Sequence, residues 1–519
     1  MSGASAFGIW KGAKKREDGG SIIEGLNVCK KQQNNQLAIG AKKPWQVHTN
    51  KQAIVCLRYW VAVEGTIDEK ALSNALDRLT QKWRMLAGRL HSIKSPTETK
   101  WFINIPLGPI PDDYRTYALT TEISQRPLSS FVSVPIPQIS NSPPPAVFCH
   151  PLTPRQYTAW ESADYPLTCW HLTYFPASAN GGTSYTGIGF ARSHGIFDGV
   201  GAAFIMNALV AEMQGEEWAV PPLPSEGLTS NVVQEALDLE ADAKKENLKR
   251  HPDYNAYTSL GLFGLLKVIA WHVRERYWRG ADRRIILLPK DIVKSLVDDV
   301  RSTLQRESQV TTHVTTGDIL TAWIFKTIYS SGIDPNTVVH CINLATFRSL
   351  LPSKTGSLAD YPHNAFIPAP YPLMSAADLG SSPLHELCNI LATSRLSLTT
   401  SHVIQAYTTM KSMRKAFPNN PAAGDTLVMS NVSASRILES DWSPVGAKRT
   451  LCSYRYQLTP LRVLLTNAVF ISGRLDDGSV VLDVTLTEHR LSLLVAEINK
   501  LGSRSGLTDQ HNSLGLVSS

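Results

Sequence analysis

Residues 193–199 read Ser-His-Gly-Ile-Phe-Asp-Gly. The run before them, Thr183 to Ser193, reads as a strand. The run after them, about Val200 to Gln214, reads as a helix that closes on Gly215, a residue suited to the left-handed turn past a helix end. His194 is therefore expected where a strand runs out into a turn, a position that holds a side chain firmly and still lets it reach a cavity. Of the fourteen histidines, only His194 has an aspartate four residues later. That spacing alone is a weak signal; the preceding strand, Gly199 and the following helix give it weight. A neutral imidazole, with an ordinary pKa of ~6.5, suits removal of a proton from an alcohol. Asp198 is too close in sequence to be taken as a triad partner. Its expected task is to pair with a cation and pin a tight loop.

Outward from this heptapeptide, Leu167–Phe175 and Thr183–Ser193 flank Asn180-Gly181-Gly182, a hairpin signal. Further upstream, Ala53 to Val63 reads as a strand, and Thr66-Ile67-Asp68-Glu69 has the pattern of a capping box. The helix after it places Leu72, Ala75, Leu76, Leu79 and Trp83 on one face and ends near Leu86-Ala87-Gly88, with Arg89-Leu90 leading into another strand. Residues 126–156, Pro- and Ser-rich around Pro143-Pro144-Pro145, read as a long surface loop. Downstream, Arg284 to Pro289 reads as a strand followed by an amphipathic helix to about Leu304. Gly317 to Ser330 is apolar on most of its surface and should be buried. Further strands are expected at 337–345, 425–431, 461–472 and 479–487, and helices near 383–395, 401–416 and 488–501. The mixture has no regular βαβ beat, so the fold class is a mixed α/β one. With 519 residues, one core is too few. The expected division is a polar leader over 1–45, one domain over 46–215, a connection over 216–276 and a second domain over 277–519.

Composition narrows the function. A net charge of +7 spread over the chain lacks the dense basic stripe of a nucleic-acid binder. The seven cysteines form no CxxC pair, which argues against a zinc site or a disulfide framework, and no metal is expected. The N-terminus has no apolar signal core, and the longest apolar stretch, Leu260 to Trp271, is broken by Lys267 and too short to span a bilayer. A soluble, cytoplasmic chain without membrane association is the expectation.

Ser-His-Gly-Ile-Phe-Asp-Gly resembles the HxxxDG motif of the chloramphenicol acetyltransferase-like superfamily, which includes plant BAHD acyltransferases, fungal trichothecene acetyltransferases and condensation domains of peptide synthetases. Other landmarks follow in family order over roughly residues 50–490. Leu86-Ala87-Gly88-Arg89-Leu90 is similar to the "PLAGRL" turn, and Gly317 to Trp323 to a family helix that follows a Thr-rich cap. Asn343 to Arg348, then Leu351-Pro352, resembles the strand bearing a structural arginine. Tyr361-Pro362-His363-Asn364-Ala365 looks like the "YFGNA" segment, and Val428-Met429-Ser430-Asn431 falls at a family strand end. The plant DFGWG segment is absent; its nearest stretch is Glu439 to Ser443. The second histidine of condensation domains is replaced by Ser193. Both departures turn the resemblance toward fungal acetyltransferases of the trichothecene 15-O-acetyltransferase type.

The resemblance implies two similar domains, each a mixed sheet with helices, and a channel between them. It implies an acyltransferase with His194 as general base, moving an acyl group directly from acyl-CoA, acetyl-CoA first, to a hydroxyl of a small-molecule secondary metabolite. No permanently bound cofactor is implied. Asp198 would pair with Arg348 to hold the loop, Gly199 and Asn364 would shape it, and Ser430 is a candidate oxyanion donor. The residues that would contact CoA are left open. Two other functions remain at this stage: a stand-alone condensation-type enzyme fed by a carrier-protein thioester, and a non-catalytic binding member. A monomer is expected, because the two halves can bury each other.

Overall fold

A computed structural model describes residues 42–47, 56–94, 99–147, 149–223, 231–243, 251, 254–259, 261–307, 314–351, 358–413, 416–433, 436–458 and 465–504. The strand Cys56–Gly65 lies inside a five-stranded sheet, between Ala447–Leu458 on one side and Tyr185–Ser193 on the other. Beyond Tyr185–Ser193 come its hairpin partner Thr168–Phe175 and then the parallel edge strand Ala118–Ile123. Gly181 and Gly182 take positive φ in the connection between the hairpin strands, a conformation open to glycine at little cost. Alternate residues of the inner strand feed two cores, as the period of two requires. Tyr59, Val61 and Val63 join the packing of the helices, while Trp60 and Ala62 face the other way.

Helix Glu69–Lys82 buries Leu72, Ala75, Leu76 and Leu79, with Trp83 just beyond its end. Its cap is Asp68, which accepts from the Ala71 amide (3.0 Å), and not Thr66. The strand before it runs on to Gly65 and the Ile67 amide donates to Thr186 Oγ1 (3.2 Å), so the helix starts later than the capping-box pattern suggests. Helix Gly199–Gln214 ends on Gly215 at φ 74°, as expected. Its Ala202, Ile205, Met206 and Leu209 join the core of this half.

The second sheet runs in the order Phe366–Pro368, Val338–Thr346, Asp425–Asn431, Ala468–Arg474, Val480–Leu486, Asp282–Leu288, Ile139–Asn141. Helices Lys290–Arg306, Thr316–Ile328, Leu384–Leu396 and Glu488–Arg504 pack against it around a second core. Each sheet borrows an edge strand. Ala447–Leu458, a stretch with no strand in the sequence reading, completes the first sheet. Ile139–Asn141, inside the stretch read as a loop, pairs with Asp282–Leu288; three residues are too few to show a period. A further cluster, with Trp60, Ala62, Cys452 and Tyr454 on one side and Ile285 and Val481 on the other, ties the sheets together.

A three-stranded sheet of Lys42–Val47, Thr99–Pro106 and Arg89–Lys94 completes the first half. Its first strand begins inside the stretch read as a polar leader; residues 1–41 of that leader lie outside the described residues. So do Ala53–Val55, 244–249, 461–464 and Pro352, on which parts of the sequence reading fall. Among the described residues, no helix is long and apolar enough to cross a membrane and no cluster of His, Cys, Asp and Glu could hold a metal ion.

Candidate active site

The strand Tyr185–Ser193 delivers His194 at its exit, and residues 194–198 turn back so that Asp198 caps the next helix. Asp198 Oδ1 accepts from the Gly201 amide (2.9 Å), the ordinary stabilisation of a helix start. The same carboxylate receives Arg348 Nη2 on both oxygens, each at 2.9 Å, and the Ala365 amide on Oδ2 at 3.1 Å. Both partners of the ion pair are buried, Asp198 at 3% exposure and Arg348 at 5%. Its contacts turn Asp198 toward Arg348 and the helix start.

Arg348 spends its remaining donors on the segment that faces the loop. Nε donates to the Tyr361 carbonyl (2.9 Å), Nη2 also to the His363 carbonyl (2.6 Å), and Nη1 to Thr346 Oγ1 (3.0 Å). Residues 361–365 grip the loop directly as well. His363 Nδ1 donates to the Ile196 carbonyl (3.0 Å) and its ring stacks on Phe197 at 5.5 Å. Asn364 Nδ2 donates to the carbonyl of His194 itself (2.8 Å). Gly201 allows this closeness: a Cβ there would lie 1.9 Å from the Pro362 carbonyl oxygen. Gly195 does the same on the other side, where a Cβ would fall 1.3 Å from the Tyr157 hydroxyl.

His194 is half-buried, with Nδ1 enclosed and its ring 6.0 Å from that of Phe366. Enclosure, reinforced by the Arg192 and Arg455 guanidiniums, pushes its pKa down to about 3. The imidazole is therefore neutral at physiological pH, the form that can accept a proton.

Of the residues singled out in the sequence, His194, Asp198, Gly199, Arg348 and Asn364 come together. Ser430 is buried near the end of Asp425–Asn431, and no hydrogen bond joins it to His194. Its strand end does approach the loop, since Val432 Cγ1 lies 3.7 Å from where a Cβ on Gly199 would stand. The amino end of helix Thr316–Ile328, capped reciprocally by Thr315 and Asp318, abuts Asn431 beside it. Sequence reasoning missed His363, Tyr157, Arg192 and Arg455. Arg192 had a signal: it shares the parity of His194 and is the one charged residue of its strand.

The fold is the two-sheet α/β fold of chloramphenicol acetyltransferase-like proteins. TRI101 of F. sporotrichioides, solved with coenzyme A and T-2, is similar at a TM-score of 0.58 and 15% identity, covering 89% of this chain and 99% of that one. TRI101 of F. graminearum, solved with coenzyme A and deoxynivalenol, gives 0.56 and 13%, with coverages of 89% and 99%. In sequence the chain is similar to the O-acyltransferase pboC of Aspergillus ustus, 26% identical over 321 residues, 59% of this chain and 63% of that protein. It is also similar to the acetyltransferase adrJ of Penicillium rubens, 24% identical over 411 residues, 73% of this chain and 77% of that protein. The chain thus spans less than two thirds of pboC. No family model matches the chain.

Proposed function

We propose that this chain is an acyl-CoA-dependent O-acyltransferase in which His194 is the general base, with acetyl-CoA as donor and a hydroxyl of a small-molecule secondary metabolite as acceptor. The observation that carries the reading is the neutral imidazole at a strand exit whose loop is fixed by the Asp198–Arg348 pair. The likeness to curated acetyl- and O-acyltransferases supports the reaction class. Coenzyme A in the TRI101 structures supports the donor.

In this mechanism the acceptor hydroxyl gives its proton to His194 as its oxygen attacks the thioester carbonyl. The ester C–O bond forms, the C–S bond breaks, and the imidazolium returns the proton to the departing thiolate. No acyl-enzyme forms. A low pKa makes His194 a weak base for full deprotonation, so proton transfer is concerted with attack. Ser430 is the proposed donor to the oxyanion, with the amino end of Thr316–Ile328 near it. The test is release of CoA thiol from acetyl-CoA with a panel of hydroxylated acceptors, run for wild type and His194→Ala. Equal turnover by the two proteins removes His194 from the mechanism.

A further inference from the structure

Six arginines are buried among the described residues: Arg89, Arg192, Arg283, Arg348, Arg455 and Arg490. Four of them have a carboxylate within ion-pair distance, namely Asp164, Asp483, Asp198 and Asp425. Arg192 and Arg455 have none among the described residues, although they are 0% and 7% exposed. Arg192 donates through Nη1 to the Phe197 carbonyl, which leaves Nε and Nη2 without an acceptor. Arg455 lies over the Phe470 ring at 4.0 Å, with Nε and Nη1 without an acceptor.

The two exceptions are neighbours of His194. Tyr59 pairs with Arg455 on one side and Phe190 on the other, so Arg192, two residues beyond Phe190, shares the face of Tyr59 and Arg455. His194 follows two residues later, and both guanidiniums act on its ring. The nearest carboxylates are already committed: Asp483 to Arg283, and Asp198 to Arg348 and two amides. A buried cation that lacks a counter-charge is strongly disfavoured, and a single water supplies no charge. Four guanidinium nitrogens without an acceptor, on the face that leads to His194, therefore mark a site for an anion.

We propose that Arg192 and Arg455 form a carboxylate-binding subsite, so that one of the two substrates of this acyltransferase carries a carboxylate close to its reacting group. This rests on the reading of His194 as the base. The phosphates of CoA do not meet the requirement, because they lie at the far end of the pantetheine arm from the thioester. The carboxylate belongs either to the acyl group, as in a dicarboxylic acyl-CoA, or to a hydroxy-acid acceptor. Its arrival would also offset the two cations that hold the His194 pKa down and so make the base stronger once substrate is bound.

The first test is thermal melting of the full chain in sodium succinate against sodium chloride at matched ionic strength, for wild type and Arg455→Met. Met keeps an apolar side chain against Phe470, so the variant is expected to fold. A succinate-specific rise in Tm for wild type that is lost in Arg455→Met supports the subsite. No rise, or the same rise in both proteins, overturns it. Calorimetry with succinyl-CoA against butyryl-CoA, and with glycolate against methyl glycolate, then identifies the source. The charged member of one pair is expected to bind at least tenfold tighter than its neutral partner in wild type and equally in Arg455→Met. Equal affinity within both pairs overturns the subsite. Failure of every CoA thioester to bind, with the succinate effect intact, would instead remove the CoA-dependent reading and leave the subsite standing.

Discussion

Replacing Asp198 with Ala should cost stability before it costs chemistry, because the carboxylate accepts four contacts at once: two from Arg348 Nη2 and one each from the amides of Gly201 and Ala365. Both members of the pair are buried, so the variant leaves a guanidinium without its counter-charge in a medium that cannot solvate it. Breaking one side of such a pair costs about 3–5 kcal/mol. At roughly 2.1 cal/mol/K of unfolding entropy per residue, a chain of 519 residues melting as one unit would lose about 3–5 °C in Tm. The loss is larger if the halves melt separately. The informative assay is a double-mutant cycle of Asp198→Ala, Arg348→Met and the double variant, each followed by calorimetric melting. The double variant should be less destabilised than the sum of the singles, by about 1–3 kcal/mol, because it no longer buries a lone charge. Additive losses, or an Asp198→Ala protein that melts with wild type, would refute the pinning role.

His194→Ala should keep the wild-type Tm within a degree or two while transfer falls by ~10²–10⁴-fold, read as CoA release. Acid should destabilise the protein through its enclosed histidines. Burial lowers the pKa of His194 to about 3 and those of His171, His340, His363 and His402 to about 4. Unfolded histidines titrate near ~6.5, so below that pH the unfolded chain binds more protons than the native one. Stability from these residues is full above pH ~6.5 and declines toward pH ~4; urea midpoints at several pH values in that interval should fall steadily. A flat series would show that these rings are protonated in the native protein. Gly201→Ala forces its Cβ against the Pro362 carbonyl, and the backbone of 361–365 must move. It should lower Tm and raise amide exchange in both that segment and 194–198; unchanged exchange would show the two are not clamped together.

Legibility in the sequence followed the distance over which each feature is specified. Helices Glu69–Lys82 and Lys290–Arg306 carry their own period, and their buried faces, Leu72 to Leu79 and Ile292 to Leu304, could be read from spacing. The hairpin of Thr168–Phe175 and Tyr185–Ser193 was equally local, set by Asn180-Gly181-Gly182. Strand Ala447–Leu458 was not, because its partner Cys56–Gly65 is far away in sequence, with Arg449 and Glu64 385 positions apart. Cys452 and Tyr454 point to one core while Arg455 lies on the other face, so the strand shows no clean polar and apolar alternation. The start of helix Glu69–Lys82 was missed for a tertiary reason too, since Thr186 from a neighbouring strand takes the Ile67 amide.

The candidate site divides along the same line. His194, Asp198 and Gly199 stand within six residues, and their spacing was enough to single them out. Arg348 and Asn364 could be named only through the resemblance, as they approach the loop from 150 and 170 positions away. Arg192 escaped notice because an arginine in a strand reads as a surface residue until its neighbours are known, and Arg455 because its strand was itself not read. Their meaning comes from comparison inside one molecule: among the described residues four buried arginines have an acidic partner within ion-pair distance, and the two that lack one both lower the pKa of His194. A fold with a carboxylate ready for each of the other four had ready means to neutralise these two. Leaving that position open costs stability, and such a cost persists where a ligand recovers it on binding.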